Sequence, residues 1–141
     1  GLNAGLPSDR FQVDWWINTR RVESRLSKRP RPTLKMTHVA RSGLRPLYTL
    51  QYLTFDLPQP PEHLPPFEER LVLAEIPNDF MELKSKDFAL ARDWRFFTRE
   101  LFETAFAKGY IVTDFIYDNN ESSPRGLYVL THGESTLDEF E

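Results

Sequence analysis

The sequence predicts an α+β fold, with a mixed, largely antiparallel sheet packed by one long amphipathic helix over about residues 87–108. Three observations predict it. Apolar side chains recur with a helical period between Asp79 and Lys108. Two earlier segments alternate apolar and polar residues, as half-buried strands do. Near the end, two β-branched and aromatic runs flank the turn-rich DNNESSPRG, the pattern of a hairpin. A length of 141 residues suits one core, so residues 1–133 are read as a single α+β domain and residues 134–141 as an acidic tail. With 11 Phe, 5 Tyr and 3 Trp the chain carries more aromatic surface than disorder tolerates.

The opening GLNAGLPSD has two glycines and a proline within seven residues and reads as a loop. In Phe11–Asn18, Phe11, Val13, Trp15 and Ile17 alternate with Gln12, Asp14, Trp16 and Asn18, which predicts the first strand. Asn18 or Thr19 can cap a short helix through about Lys28, with Val22 and Leu26 one turn apart and Pro30 and Pro32 ending it. Residues 29–46 lack periodicity and read as a surface excursion with a short strand near Thr37–Val39. A second strand is expected over Leu47–Leu57, with Leu47, Leu53, Phe55 and Leu57 on one side, Tyr48, Tyr52 and Asp56 on the other, and Leu50 breaking the alternation. The five prolines of PQPPEHLPP forbid helix and ladder pairing, so a stiff surface loop is expected there. Leu71–Ile76 is a third strand, stopped by Pro77.

On a helical wheel, Leu90, Trp94, Phe97, Leu101 and Ala105 fall within about 80° of one another, and Ala91, Phe102 and Phe106 widen the stripe to half the circumference. Asp87 is placed to cap this helix after a short turn from Asp79 to Lys84, and Gly109 stands where a left-handed C-terminal residue belongs. Phe96 falls on the polar side, beside Arg92, Asp93, Glu100 and Glu103, either as a contact point or as an isolated surface aromatic. Tyr110–Tyr117 and Leu127–Leu130 form the closing hairpin.

Charge is unevenly spread. Arg10–Arg45 holds ten Lys/Arg against Asp14 and Glu23, whereas residues 47–141 hold eight against eighteen acids. The basic third is read as a solvated surface, or one facing the acidic portion. Nucleic acid is disfavoured, because no zinc-finger spacing, aromatic RNA-binding signature or basic heptad helix accompanies the charge. No apolar run approaches the roughly 20 residues that span a bilayer, and no secretory leader is visible, so a cytoplasmic location without membrane contact is expected. There is no cysteine, and His38, His63 and His132 have no metal-binding spacing, so no metal is expected. No nucleophile elbow surrounds Ser8, Ser42 or Ser135. The paired acids Glu68–Glu69 and Asp138–Glu139 read as solvated, and no glycine-rich phosphate loop occurs. Trp15 belongs to the core face of the first strand. Trp16, on the opposite face, is either an interface residue or a ligand platform, and Asp9 and Arg10 can present charge to a ligand or pair on the surface.

Two stretches resemble a known group. LNAGLPSDRFQVDWW (Leu2–Trp16) and EIPNDFMELKSKDFALARDWRFFTRELFETAFAKGYIVTDF (Glu75–Phe115) are similar to the C-terminal part of uncharacterised prokaryotic predicted acetyltransferases of the GNAT superfamily. The resemblance implies a GNAT-like C-terminal portion of a longer protein whose N-terminal half is a partner of this one. It implies acetyl-CoA as acyl donor, a small-molecule amine as acceptor, and an oligomeric state left open. The Gln/Arg-x-x-Gly-x-Gly/Ala loop that holds the acyl-CoA pyrophosphate in that superfamily has no match in this chain. No catalytic residue is assigned. Asp9, Arg10, Trp16, Tyr110 and Tyr117 are the candidate substrate-binding residues, and the alternative is a non-catalytic interaction module using the basic third or the Trp16 and Phe96 surfaces.

Overall fold

The helical period is realised in full. In the computed structural model, which describes residues 4–11, 35–52, 56–119 and 124–133, the helices are α1 (Met36–Ser42), α2 (Phe80–Lys86) and the 20-residue α3 (Phe88–Ala107). Asp79 and Asp87 open α2 and α3, their carboxylates accepting from the backbone N–H of Glu82 and Leu90, each at 3.0 Å. Gly109 closes α3 with φ 92°, and an added Cβ there would lie 3.2 Å from His132 Nε2, so both backbone and space call for glycine.

The strands are β1 (Gln51–Tyr52), β2 (Pro58–Gln59), β3 (Leu71–Ile76), β4 (Tyr110–Asp118) and β5 (Arg125–His132). β1 and β2 make a small antiparallel pair, while β3, β5 and β4 form an antiparallel sheet in that order. β5 lies in the centre, so the β4–β5 hairpin inserts its second strand between β4 and β3. Registration places Val72 beside Leu130 and Leu130 beside Val112 on one face, and Leu73 beside Val129 on the other. The first face packs against Leu90, Trp94, Phe97, Leu101 and Ala105 of α3. The second is covered by Val39 of α1 with Met36 and Leu44, which meet Leu71, Leu73, Ile116, Leu127 and Val129. The chain is thus α+β, with the long helix on one side of an antiparallel sheet.

Three local expectations are corrected. Thr37–Val39 is helix rather than strand, because His38 Nδ1 accepts the Lys35 N–H at 3.0 Å at its start and Gly43, φ 75°, ends it. Leu47–Leu57 does not form one strand. Leu47 donates to the Leu73 carbonyl at 2.7 Å beside the parallel Pro46–Leu73 bridge, which makes the wider pairing mixed, and among the described residues of the stretch only Gln51–Tyr52 enters a ladder. Tyr48 and Leu50 are both buried there because the Tyr48 hydroxyl finds an acceptor, the Glu75 carbonyl, at 2.5 Å. Finally, Pro58–Gln59 does pair, opposite Tyr52 and Gln51, and the Pro58 carbonyl accepts from Trp94 Nε1 at 2.9 Å. A proline lacks only the donor, so its carbonyl remains free for this work. The expected strand Phe11–Asn18 beyond Phe11, the helix through Lys28, Trp15, Trp16 and the acidic tail lie outside the described residues.

At the far end of the sheet Glu75, 5% exposed, accepts from Arg125 through both carboxylate oxygens, Nε–Oε2 3.0 Å and Nη2–Oε1 2.8 Å. This ties β3 to β5 where Pro77 halts the ladder. On the α3 side of the same strands the Phe115 ring lies across Gly126, where an added Cβ would sit 2.9 Å from Phe115 Cζ.

Leu101 is fully buried, so Leu101→Ala is expected to lower stability by about 2–5 kcal/mol in urea unfolding. Burial, with the negative charge of Glu75 second, pushes the Tyr48 hydroxyl well above the ordinary phenol range. Because the folded form holds this proton more tightly, its contribution is whole below about pH 10 and is lost as pH rises beyond it. Denaturant titrations should therefore show stability falling above that pH, with a shallower fall in Tyr48→Phe.

Candidate functional site

Residues 4–11 run along α3 in the same direction as the helix. Gly5, φ 72°, lies against the Phe88 ring, where an added Cβ would be 3.1 Å from Cζ. One turn of chain later Asp9 accepts from Arg99 through both oxygens, with Nη2–Oδ1 at 2.9 Å and Nε–Oδ2 at 3.1 Å. Phe11 then enters an aromatic cluster, edge-on to Phe102 at 4.8 Å and to Tyr128 at 5.7 Å between centroids. Phe102 meets Tyr128 at 5.2 Å, and Phe115 meets it at 5.0 Å from the other side. The N-terminal strap is therefore held by glycine packing, a bidentate ion pair and edge-on rings.

Between strap, helix and sheet lies a cleft of about 370 Å³, lined by Asp9, Phe11, Ile76, Pro77, Phe80, Trp94, Arg95, Thr98, Phe102 and Tyr128. Each element contributes for a local reason. Pro77 ends β3 and turns the chain into the Asp79 cap, which brings Phe80 to one wall. The Arg95 guanidinium lies over that Phe80 ring, 4.3 Å from its centroid, a cation–π contact that holds the charge against the wall. Thr98 donates its hydroxyl to the Trp94 carbonyl at 2.9 Å, one turn back along α3. Trp94 has spent its own N–H on Pro58, so it offers the cleft carbon surface alone. Burial raises the Tyr128 hydroxyl above its usual range. The hydrogen bond donated to Asp9, followed by that carboxylate's charge, raises the Arg99 guanidinium. Among the described residues the lining is thus mostly hydrocarbon, with the Asp9 carboxylate paired to Arg99 and the Arg95 guanidinium against the Phe80 ring.

Of the residues singled out from sequence, Asp9 lines the cleft and Arg10 follows it in the chain as an exposed residue. Tyr110 is buried at the other end of the sheet, donating to the Glu69 carbonyl and packing 5.2 Å from Phe67 and 5.1 Å from His132. Tyr117 is 54% exposed on β4 and does not reach the cleft. Trp16 lies outside the described residues. Sequence reasoning did not find Phe80, Arg95, Thr98 or Tyr128. Trp94 and Phe102 carried a signal only as members of the helical stripe, and Phe11 and Ile76 only as strand residues.

Among the described residues no three His, Asp or Glu side chains converge as a metal site, and no helix is long and apolar enough to cross a membrane. The N-caps of α2 and α3 are Asp79 and Asp87, whose carboxylates place negative charge where a pyrophosphate would have to sit. The described residues do not fit that part of acetyl-CoA. No protein-family model, curated protein or solved structure matches the chain.

Asp9 is the charged tether of the strap. Asp9→Asn is expected to speed amide hydrogen exchange over residues 4–11 while leaving the α3 amides from Leu90 to Ala105 unchanged, as read by mass spectrometry.

Proposed function

We propose that this chain is the C-terminal, acceptor-side portion of an acyl-CoA-dependent N-acetyltransferase of the GNAT type, and that the cleft receives the amine substrate. One observation carries the reading. Every described residue lining the cleft except Tyr128 belongs to Leu2–Trp16 or Glu75–Phe115, the two separated stretches in which the resemblance resides. A shared sequence pattern that converges on one cavity is what a substrate site would leave behind.

In the reaction the amine nitrogen bonds the acetyl carbonyl carbon, the thioester carbon–sulfur bond breaks, CoA leaves as its thiol with the proton the nitrogen gives up, and the amine must be uncharged to act as the nucleophile. A hydrocarbon-lined cleft favours that form, because desolvation opposes protonation of an amine. Phe11, Phe80, Trp94, Phe102 and Tyr128 supply the walls. The pyrophosphate-holding loop belongs, in this reading, to the N-terminal half, and no proton-transfer role is assigned to a residue of this chain. A second reading, a non-catalytic interaction module, draws on Phe96, which is 51% exposed on α3, 5.9 Å from the Arg99 guanidinium.

The test is thiol release from acetyl-CoA by this chain joined to its N-terminal half, followed across a panel of amines. Release is expected, with Phe102→Ala raising KM for the amine more than it lowers kcat. No release with any amine overturns the transferase reading in favour of the interaction module.

A further inference from the structure

The cleft has a movable wall, an inference that goes beyond the acceptor-side reading and holds for whatever the cleft receives. Asp9 and Phe11 line it from the strap, while the rest of its described lining stands on α2, α3, β5, β3 and the turn after β3. The two ends of the strap are held unequally. Gly5 lies against the Phe88 ring, Leu6 packs on the main core, and Pro7 is half-buried beside it. From Ser8 to Phe11 every residue is exposed. Leu6 thus fixes one end by removing hydrocarbon from water, whereas the other end depends on a surface ion pair and on ring edges.

That ion pair is the attachment that opens without disturbing the core. The Asp9 and Arg99 side chains are 51% and 36% exposed, although their contact is bidentate. Such a pair is weak, and dissolved salt screens it. Phe11, 41% exposed, meets Phe102, Phe106 and Tyr128 through ring edges. It follows Asp9 by two residues, so release of the carboxylate frees the ring next, and both leave the cleft together. The ion pair and ring contacts use Arg99, Phe102 and Phe106 of α3 rather than its buried Leu90, Trp94, Phe97, Leu101 and Ala105, so the helix keeps its place on the sheet. We infer that residues 8–11 are a gate on the cleft, anchored at Gly5–Leu6, latched by the Asp9–Arg99 pair and opened by rising ionic strength. Entry into the cleft then scales with the open fraction.

The chain has no cysteine, so a single thiol placed in the cleft reports the gate. Thr98→Cys puts that thiol on the α3 wall, and Ile76→Cys serves on the sheet side should the first fail to fold. Labelling by N-ethylmaleimide, an uncharged reagent, is followed at fixed pH. Raising sodium chloride from about 0.02 M to about 0.5 M should speed it about twofold. Arg99→Gln in the same background should speed it about two- to fivefold at low salt and abolish the salt response. In a separate chain Met81→Cys, exposed on α2 outside the lining, should label at a rate indifferent to Arg99→Gln. Amide exchange from Leu90 to Ala105 should stay constant throughout, which separates a gate from loss of the fold. Labelling of the cleft thiol that Arg99→Gln leaves unchanged, a salt response that survives that substitution, or acceleration only in step with exchange of the α3 amides would overturn the gate. Acyl transfer plays no part in the readout, so a gate that fails leaves the acceptor-side reading standing, and a transferase that fails leaves the gate.

Discussion

Burial of one stripe of α3 against one face of a three-stranded sheet is the constraint on which the rest of the molecule depends. Leu90, Ala91, Trp94, Phe97, Leu101 and Ala105 are all buried, and they meet Val72, Ala74 and Leu130 across the interface. Each large side chain so removed from water contributes on the order of 1.5–3 kcal/mol. A two-stranded hairpin has too little surface to be stable alone. β4 and β5 therefore owe their persistence to β3 and to the helix that covers all three.

That packing also decides where a ligand could lie. The helix is longer than the strands are wide, and its flank carries Arg95, Thr98, Phe102 and Phe106 past the covered part of the sheet. The strap fills only part of the resulting groove, because its three anchors at Gly5, Asp9 and Phe11 are spaced along the helix with chain bridging between them. At the end of the strands the cleft reaches Ile76 and Tyr128. The polar pair Glu75–Arg125 holds β3 and β5 together at this end, where Pro77 removes a ladder donor.

Regular, periodic features were the legible part of the sequence. The α3 stripe, its Asp87 cap, Gly109, the two-helix break at Asp79–Asp87, Leu71–Ile76 and the closing hairpin all follow from repeats of 3.6 or 2 and from local capping chemistry. What was illegible depended on partners distant in sequence. His38 as a cap acceptor for Lys35 has no propensity signal. Tyr48 buries a hydroxyl only because the Glu75 carbonyl, 27 positions away, is there to receive it. Pro58 enters a pair because its carbonyl serves Trp94 as well as the fold. The cleft residues Phe80, Arg95 and Tyr128 come from three elements with unlike patterns, so no spacing joins them. Asp9 was visible as a candidate because a charged residue stood at the end of a turn-rich loop, but its partner Arg99 lies 90 positions further on.

The ring of Phe115 rests on Gly126, and its tilt toward Tyr128 exists because position 126 has no side chain. A methyl group there would meet the outer carbons of a ring that can rotate, so the backbone would survive while the ring swung aside. The two positions are consequently bound as a compensating pair. A lineage that enlarges residue 126 must shrink residue 115 or surrender the ring that buttresses Tyr128, so the shape of the aromatic wall is inherited partly through an atom the protein does without.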